Sequence, residues 1–270
     1  MPATGLLHRM GYVFAALLLA VLAAPPALAD ARDEFVAGRS LQCRACDLSG
    51  LDLSGRKLAG AELSDANLST TDLSGADLSG VSFFRADLEH ARLDGANLSS
   101  ADFTDANLSF ATATKADLTA TIFFRARLNN VDFSNATGQG TVFRRANMIG
   151  VKLANAVLPF TQFEKARVAG LDAPGADLRG STFRGVKMQR LNIAGGHIGG
   201  SDLSSANLEK ANMAGTIVAG SDLMRASLIG ADLTDADFSK TRLLGANLRD
   251  AKTTGTRFSG ALMPDASWHE

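Results

Sequence analysis

The chain has 270 residues, with 27 Lys and Arg against 28 Asp and Glu, so its formal net charge is −1. This balance excludes a broadly basic nucleic-acid binder and a strongly acidic tail protein. Aromatic residues make up only 6% of the sequence, and 26 glycines with only 6 prolines exclude a collagen-like chain and a Pro-rich linker.

Residues 1–29 are typical of a secretory signal peptide. An apolar run from Met10 to Ala24 is followed by two prolines and by Ala27-Leu28-Ala29, an A-x-A cleavage site before Asp30. An uncleaved anchor is the alternative, but the run is shorter than the roughly 20 residues that span a bilayer. We therefore expect a cleaved, exported protein without a membrane span, located in the periplasm or secreted.

From Leu41 to Glu270 the sequence divides into 46 five-residue units without a slip in register. The central residue, position i, is Leu, Phe, Met, Ile or Val in 40 units, position i−2 is Ala in 25, and position i+2 is Gly in 20. A period of five fits neither the turn of a helix nor the alternation of a strand. It favours a chain that turns a corner in every unit, packs one large and one small residue inward, and uses Gly where φ is positive.

A second period of twenty residues is carried by phenylalanine. Six phenylalanines at position i are predicted to stack as a core: Phe83, Phe103, Phe123, Phe143, Phe163 and Phe183. Twenty residues are four units, which indicates a four-sided coil with like residues above one another. The 46 units then give about 11.5 coils and, at the roughly 4.8 Å spacing of strands, a rod about 55 Å long.

Units such as ADLSG at Ala76 and ADLTD at Ala231 resemble the motif A(D/N)LXX of the pentapeptide-repeat family, and the resemblance covers residues 41–270. It implies an all-β fold, a right-handed quadrilateral parallel β-helix. The family does not imply one function, because its members include DNA mimics that bind gyrase, secreted effectors and proteins of no known role. The predicted organisation is a signal peptide (1–29), an N-terminal cap (30–40) and a β-helix (41–270).

Both ends of such a solenoid expose strand edges that need protection. Residues 30–40 are predicted to form a short helix or turn over the first coil, with Phe35 and Val36 as apolar contacts. Trp268, at the last position i, is predicted to cover the other end. An exposed rod end would also allow a homodimer.

Three residues depart from the pattern inside the repeats. Gly138 leaves a core position empty, so either a kinked corner or an undisturbed coil is expected there. Arg56 occupies a position i−2 that is usually small, which a bulge or exposure at the N-terminal end would accommodate. Ala113 sits one coil before Phe133 on the same face and is expected to make room for the larger ring.

The two cysteines, Cys43 and Cys46, fall at position i and at the next i−2, so both point inward across one turn. The ends of a turn lie within about 7 Å, which permits a disulfide in an exported protein. Two buried free thiols and a redox or metal role are the alternatives. No second C-x-x-C and no His pair completes a zinc site in the sequence, so the disulfide is favoured.

No group of residues in the repeats predicts catalysis. The histidines of the repeats fall on different faces, and no phosphate-binding glycine loop is present, because the glycines belong to the turns. Stacked aspartates, Asp52 with Asp72 and Asp202 with Asp222, could hold a cation or solvate a turn, and the turn is favoured. We expect no enzyme, no catalytic residues, no cofactor and no metal site.

Charge is distributed unevenly along the rod. Residues 121–190 contain 11 basic and 4 acidic residues, and most of the basic ones fall in three outward columns that meet at one corner. This candidate edge, the basic edge, consists of Arg85, Arg125, Arg127, Arg144, Arg145, Lys165, Arg167, Arg184, Lys187 and Arg225.

Two interpretations fit this corner. One is a docking edge for an acidic protein, glycan or lipid headgroup, and the other is a solvated corner whose long side chains cover the Phe stack. A DNA mimic that binds a type II topoisomerase is disfavoured, because about 55 Å of B-DNA carries about 32 charges and this rod is nearly neutral. We therefore predict a non-enzymatic exported scaffold or interaction module that does not bind nucleic acid.

Overall fold

The computed structural model describes residues 30–269. The predicted signal peptide, residues 1–29, lies outside the described residues. In the described part, the one helix is α1 (Ala31–Val36), and the repeats that follow contain isolated β-bridges rather than extended strands. Apart from the last unit and the unit of Gly138, each five-residue unit contributes one bridge residue at position i−1 and a turn at positions i+1 and i+2.

The bridges establish the register of the solenoid. They pair residues twenty apart and run parallel, from Gln42 with Glu62 to Arg242 with Leu262. Four units therefore make one coil, and every bridge residue lies directly above its counterpart in the coil before. The predicted class, a parallel β-helix built from four-unit coils, is what these pairings produce.

The turn explains the glycine at position i+2. Gly50 has φ of 66°, and residues with side chains adopt the same left-handed backbone at this position, such as Asp65 at 60° and Arg85 at 57°. Glycine is preferred because it has no Cβ to strain in this region. An Asp at i−1 closes the same turn: the Ser54 N–H donates to Asp52 Oδ1 over 2.9 Å.

The core is a continuous column of position i and i−2 side chains. The six stacked phenylalanines are buried, and adjacent ring centroids lie between 4.5 Å (Phe83–Phe103) and 5.3 Å (Phe143–Phe163) apart. Phe133 is also buried and meets Phe123 edge-on at 5.6 Å from across the coil. Ala113, one coil before Phe133 on the same face, is also buried.

The N-terminal cap is held by an arginine that the repeat pattern does not explain. Arg56 donates to the carbonyl oxygens of Phe35 and Val36, each over 3.1 Å, and its guanidinium lies 5.8 Å from the Phe35 ring centroid. Phe35 is fully buried, whereas Val36 is 39% exposed. The prediction that Val36 is an apolar contact of the cap is therefore wrong, because α1 turns that side chain outward.

At the C-terminal end the register of five is lost in the last unit. Trp268 pairs antiparallel with Leu262 instead of continuing the parallel ladder, because the chain makes a tight turn after Met263. The Trp268 side chain is 69% exposed. The prediction that Trp268 covers the rod end is therefore wrong. The prediction that five-residue units continue without a slip as far as Glu270 is wrong as well.

The unit around Gly138 keeps its place in the ladder. The bridges from Asp117 to Thr137 and from Thr137 to Val157 are intact. A Cβ on Gly138 would lie 2.6 Å from the carbonyl carbon of Leu118, so this glycine allows two coils to approach closely. The ladder is therefore undisturbed, whereas the corner after Gly138 bends without the hydrogen bond that closes the neighbouring turns, such as Ala136 N–H to the Phe133 carbonyl at 3.0 Å. No helix among residues 30–269 is long and apolar enough to cross a bilayer.

Candidate interaction edge

The basic edge lies at the corner that follows the Phe stack. Five of its residues share one column at the left-handed position i+2, where the backbone bends and the side chain projects outward: Arg85, Arg125, Arg145, Lys165 and Arg225. The other five come from the adjoining columns, at the first turn position and at the bridge position: Arg127, Arg144, Arg167, Arg184 and Lys187. The structure thus places all ten along one corner.

The N-terminal part of the edge is neutralised by aspartates of the same column. Arg85 Nε donates to Asp65 Oδ1 over 2.7 Å, and Arg125 Nε donates to Asp105 Oδ1 over 2.8 Å. Each arginine reaches the aspartate one coil before it. The hydrogen bonds from Arg85 hold the pKa of Asp65 below its usual range, with a further contribution from Arg44. Arg85 and Arg125 form the paired stretch of the edge.

Outward phenylalanines pack under the same arginines. The guanidinium of Arg85 lies 5.2 Å from the Phe84 ring centroid, and that of Arg125 lies 5.4 Å from Phe124, which Arg145 approaches from the next coil at 5.8 Å. Such cation–π contacts contribute about 0.5–1 kcal/mol each at exposed sites. The arginines therefore cover outward rings and not the buried Phe stack, which corrects that part of the solvated-corner interpretation.

Two arginines of the first turn position also face carboxylates. Arg184 Nε donates to Asp202 Oδ2 over 3.0 Å, and Arg144 Nε is 4.0 Å from Glu164 Oε2. Partial burial acts to raise the pKa of Asp202, but hydrogen bonds from Ser204 and Arg184 together hold it below its usual range. These arginines contribute little unbalanced charge to the edge.

The remaining cations of the edge have neither a carboxylate partner nor a side-chain hydrogen bond among residues 30–269. These free cations are Arg127, Arg145, Lys165, Arg167, Lys187 and Arg225. None of them has an aspartate twenty residues before it, whereas Arg85 and Arg125 of the paired stretch have Asp65 and Asp105 there. Unbalanced positive charge is thus confined to the middle and later coils.

The backbone ladder is looser beside these free cations, although Arg167 still pairs with Lys187 in a parallel bridge. The N–H groups of Lys165, Val168, Gly170 and Lys187 make no backbone hydrogen bond of ordinary geometry, whereas each equivalent group in the preceding coil does, as in Met148 N–H to the Arg167 carbonyl at 2.7 Å. The rest of the described ladder from residue 41 to residue 245 is complete. We call this interval, residues 165–170 facing 184–189, the opening.

A groove of about 470 Å³ occupies the opening. Lys165, Arg167 and Lys187 line it together with apolar side chains that include Ile149 and Val186. Sequence reasoning found the cations but missed the opening, because positions i on both sides, such as Val168, carry ordinary large apolar residues. The groove is the concave part of an otherwise convex corner.

The cysteines lie at the first coil, at the opposite end of the rod from Trp268. The Cα atoms of Cys43 and Cys46 are 5.3 Å apart, and Cys43 is fully buried under α1. Among residues 30–269 no group of three or more His, Cys, Asp or Glu side chains is arranged to hold a metal ion. The stacked aspartates are capped by arginines, as in Arg92 with Asp72 at 3.2 Å and Arg242 with Asp222 at 3.1 Å.

Comparison with known proteins gives a family match along most of the coils. The Pentapeptide repeats family matches residues 46–83, 82–119, 121–158 and 201–239, more than half of the chain. These matches leave out residues 159–200, which contain the opening. The search of curated proteins found no match.

Several solved structures are similar to this chain. HetL, a pentapeptide repeat protein involved in heterocyst differentiation regulation from the cyanobacterium Nostoc, is 27% identical, with 87% of this chain and 96% of that chain covered and a TM-score of 0.48. A pentapeptide repeat protein from the Arabidopsis thaliana thylakoid lumen is 26% identical, with 57% and 72% covered and a TM-score of 0.26. QnrB1, a plasmid-mediated fluoroquinolone resistance protein, is 16% identical, with 80% and 90% covered and a TM-score of 0.37.

Proposed function

Because the chain belongs to the pentapeptide-repeat family, we propose that it is a non-enzymatic exported rod that docks an acidic partner along the basic edge. Pentapeptide-repeat proteins are generally structural or interaction modules. The finer geometry that we propose is a right-handed quadrilateral β-helix of about 11.5 coils, from 46 units at four to a coil. Such a rod offers one long, regular surface to a partner.

The free cations carry this proposal. Six of the ten basic residues of the edge lack a carboxylate partner in the described structure, and they lie along one corner between Arg127 and Arg225. Unbalanced charge of one sign on a surface attracts groups of the opposite sign and raises their rate of encounter. An acidic protein, glycan or lipid headgroup has the required charge.

Capture of partners from the native compartment tests the proposal. The wild type is compared with a variant carrying Arg145→Gln and Lys165→Gln, and the matched control carries Arg85→Gln and Arg125→Gln in the paired stretch. We expect the first variant to lose the partner and the control to retain it. The partner should also be released by salt, because exposed charges are screened. Equal capture by all three proteins, at low and at high salt, would refute the docking edge.

A DNA mimic that inhibits or protects a type II topoisomerase is the alternative function. The free cations count against it, because B-DNA presents a dense line of negative charge, one per about 1.7 Å. Its test is a supercoiling assay with purified gyrase. Inhibition or protection at stoichiometric amounts of the rod would favour the mimic over the docking edge.

Export and the disulfide make one further part of the proposal. An exported chain cleaved after Ala29 should have an intact mass that begins at Asp30, which lies at the start of α1 as its N-cap. In the same material Cys43 and Cys46 should both resist alkylation under denaturing, non-reducing conditions. A full-length cytoplasmic protein, or two labelled thiols in exported material, would contradict these respective claims.

A further inference from the structure

One outward column of bridge residues changes sign along the rod. This mid-face column lies beside the corner of the basic edge, and parallel bridges run through it without a break. In chain order it reads Asp47, Asn67, Asp87, Asn107, Arg127, Asn147, Arg167 and Lys187. The change follows the charge of the coils, because residues 41–120 contain 12 acidic and 6 basic residues, whereas residues 121–190 contain 4 and 11.

The charged side chains of this column are not neutralised within the chain. Arg127 and Arg167 are free cations, and both are exposed. Asp47 is exposed and Asp87 is half-buried, and neither forms an ion pair with a Lys or Arg among residues 30–269. Each aspartate accepts a hydrogen bond from the neutral asparagine one coil later, over 3.1 and 3.0 Å. Two anions and two cations thus face outward in one line.

The order of these charges is self-complementary about Asn107. Asp87 and Arg127 each lie one coil from it, and Asp47 and Arg167 each lie three coils from it. A twofold axis at this level, perpendicular to the rods, would lay two antiparallel copies together with every column opposite itself. Asp87 of each copy would then face Arg127 of the other, and Asp47 would face Arg167. The six coils concerned span about 29 Å at the spacing of strands.

The adjoining corner follows the same symmetry. Asp65 and the free cation Arg145 each lie two coils from the level of the axis, and Arg44 and Glu164 each lie three coils from it. The axis would therefore bring opposite charges together in both columns of the corner. Arg145 and Arg167 would each gain the carboxylate that their own chain does not provide.

Like charges meet only at the centre of this corner, and they are neutralised within each chain. Arg85 would lie opposite Arg125, and Asp105 would lie opposite its own counterpart. Arg85 donates to Asp65 over 2.7 Å, and Arg125 donates to Asp105 over 2.8 Å. The centre therefore carries ion pairs, and the free charges lie on either side of it, where opposite charges face them.

We propose that the acidic partner of the basic edge is a second copy of this chain, bound antiparallel with its N-terminal coils against Arg127, Arg145 and Arg167. This inference rests on the proposed function, because it names the partner of the same edge. Two copies share one coil spacing, so charges that repeat along one rod stay opposite charges that repeat along the other. Complementary charges also fix the register of the two partners.

An exposed aromatic residue lies at the level of the axis. Phe110, at the far corner of the same face, is 49% exposed and stacks on His90 with ring centroids 5.1 Å apart. It belongs to the coil of Asn107, so the axis places it opposite Phe110 of the second copy. Aromatic residues are enriched at protein interfaces. This contact would add buried apolar area to the charge pairs.

Sedimentation velocity of the purified protein at low salt tests the proposal. We expect a monomer–dimer equilibrium that shifts toward the monomer as salt is added, because exposed charges are screened. Arg127→Asp with Arg167→Asp should weaken the dimer at least about a hundredfold, since like charges then face each other at four places. The matched control, Arg225→Asp with Lys240→Asp, changes the net charge equally outside the overlapping coils and should leave the dimer unchanged.

An exchange of charges tests the pairing itself. A second variant, Asp47→Arg with Asp87→Arg, makes the mid-face column basic, and the first variant makes it acidic, so neither should dimerise alone. An equimolar mixture should form a heterodimer, because each of these positions then faces an opposite charge. The bridge position accepts arginine elsewhere, as at Arg92, and circular dichroism checks that each variant is folded.

A cysteine on the axis measures the register. Asn107→Cys places a thiol opposite the same thiol of the second copy, so mild oxidation should give a disulfide-linked dimer. Asn147→Cys, in the same column two coils away, would face Asn67 and should stay unlinked. Equal cross-linking at both positions would overturn the proposed register.

The outcomes separate this inference from the proposed function. A protein that stays monomeric at low salt and about 100 μM overturns the dimer, because an association in the micromolar range would be populated there. A dimer that the first variant leaves intact, or a mixture that does not associate, overturns it too.

Loss of another acidic partner in the Arg145→Gln and Lys165→Gln variant would still support the docking edge if the protein is monomeric. Conversely, a salt-sensitive dimer in the proposed register, with no other partner captured, would confirm this inference and refute the docking of a foreign acidic molecule.

Discussion

The two stretches of the basic edge share one corner geometry and differ in charge balance. Arg85 and Arg125 occupy position i+2 with φ near 57° and 58°, as does Arg145 with φ of 60°. The first two each bind an aspartate one coil before them, and the third has an arginine there instead. In a coil of twenty residues, the residue twenty positions away therefore decides whether a surface charge is neutralised or free.

The largest expected effect is on the free energy of unfolding, when a core phenylalanine is removed. It can be compared at two levels of the rod, that of the paired stretch and that of the opening. Phe103→Ala, level with the paired stretch, should cost about 3–5 kcal/mol in the free energy of unfolding. Phe163→Ala, level with the opening, should cost about 1–2 kcal/mol less, because a coil with fewer ladder bonds can close more of the cavity. Urea denaturation measures both. Equal costs would show that the opening does not loosen the core.

Hydrogen exchange compares the opening with the coil before it. The amides of Lys165, Val168 and Gly170 should exchange at least about tenfold faster than those of Arg145, Met148 and Gly150, which donate to carbonyls of the next coil. NMR-detected exchange of the ligand-free protein measures the ratio. Similar protection in both sets would mean that the ladder is as tight at the opening as in the coil before it.

Titration of Asp65 tests the paired stretch. Arg85→Gln should raise the pKa of Asp65 toward its usual value of about 3.9, because the hydrogen bonds from Arg85 are the main cause of its lowered pKa. A carboxyl whose pKa is lowered on folding stabilises the protein above its unfolded pKa, and this stability is lost as the pH falls through the folded pKa. The stability difference between wild type and variant should thus disappear in acid.

The matched control is Arg145→Gln. Arg145 has no carboxylate partner among residues 30–269, so this substitution should leave the pKa of Asp65 unchanged. Carboxyl carbon shifts followed by NMR against pH give both values. A shift of equal size in the two variants would indicate a long-range field effect and not the contact between Arg85 and Asp65.

The smallest effect concerns surface charge and stability. At low salt, Arg85→Gln with Arg125→Gln should lower the denaturation midpoint slightly, since two ion pairs are lost. Arg145→Gln with Lys165→Gln should leave it unchanged or raise it, since like charges in one column repel. Both changes should vanish at high salt, because exposed charges are then screened. A lowered midpoint in the second variant would show that these cations are structural.

The described coils follow the sequence closely because each residue type repeats at a fixed distance. A period of five with Phe103, Phe123 and Phe143 at intervals of twenty predicts which side chains are inward and which stack. The ends were predicted less well. The direction of α1 turns Val36 outward, and Trp268 pairs antiparallel after a turn. The repeat specifies neither orientation.

Sequence alone determined the coil, its inward residues and the corner on which the cations lie, because a repeat fixes local geometry once it sets the register. The tertiary structure decided which cations are free and where the ladder opens. Pairing of Arg85 with Asp65 depends on side-chain reach between coils. The opening at Lys165 to Gly170 depends on the spacing of two coils, which is the sum of many contacts and has no single residue as its signal.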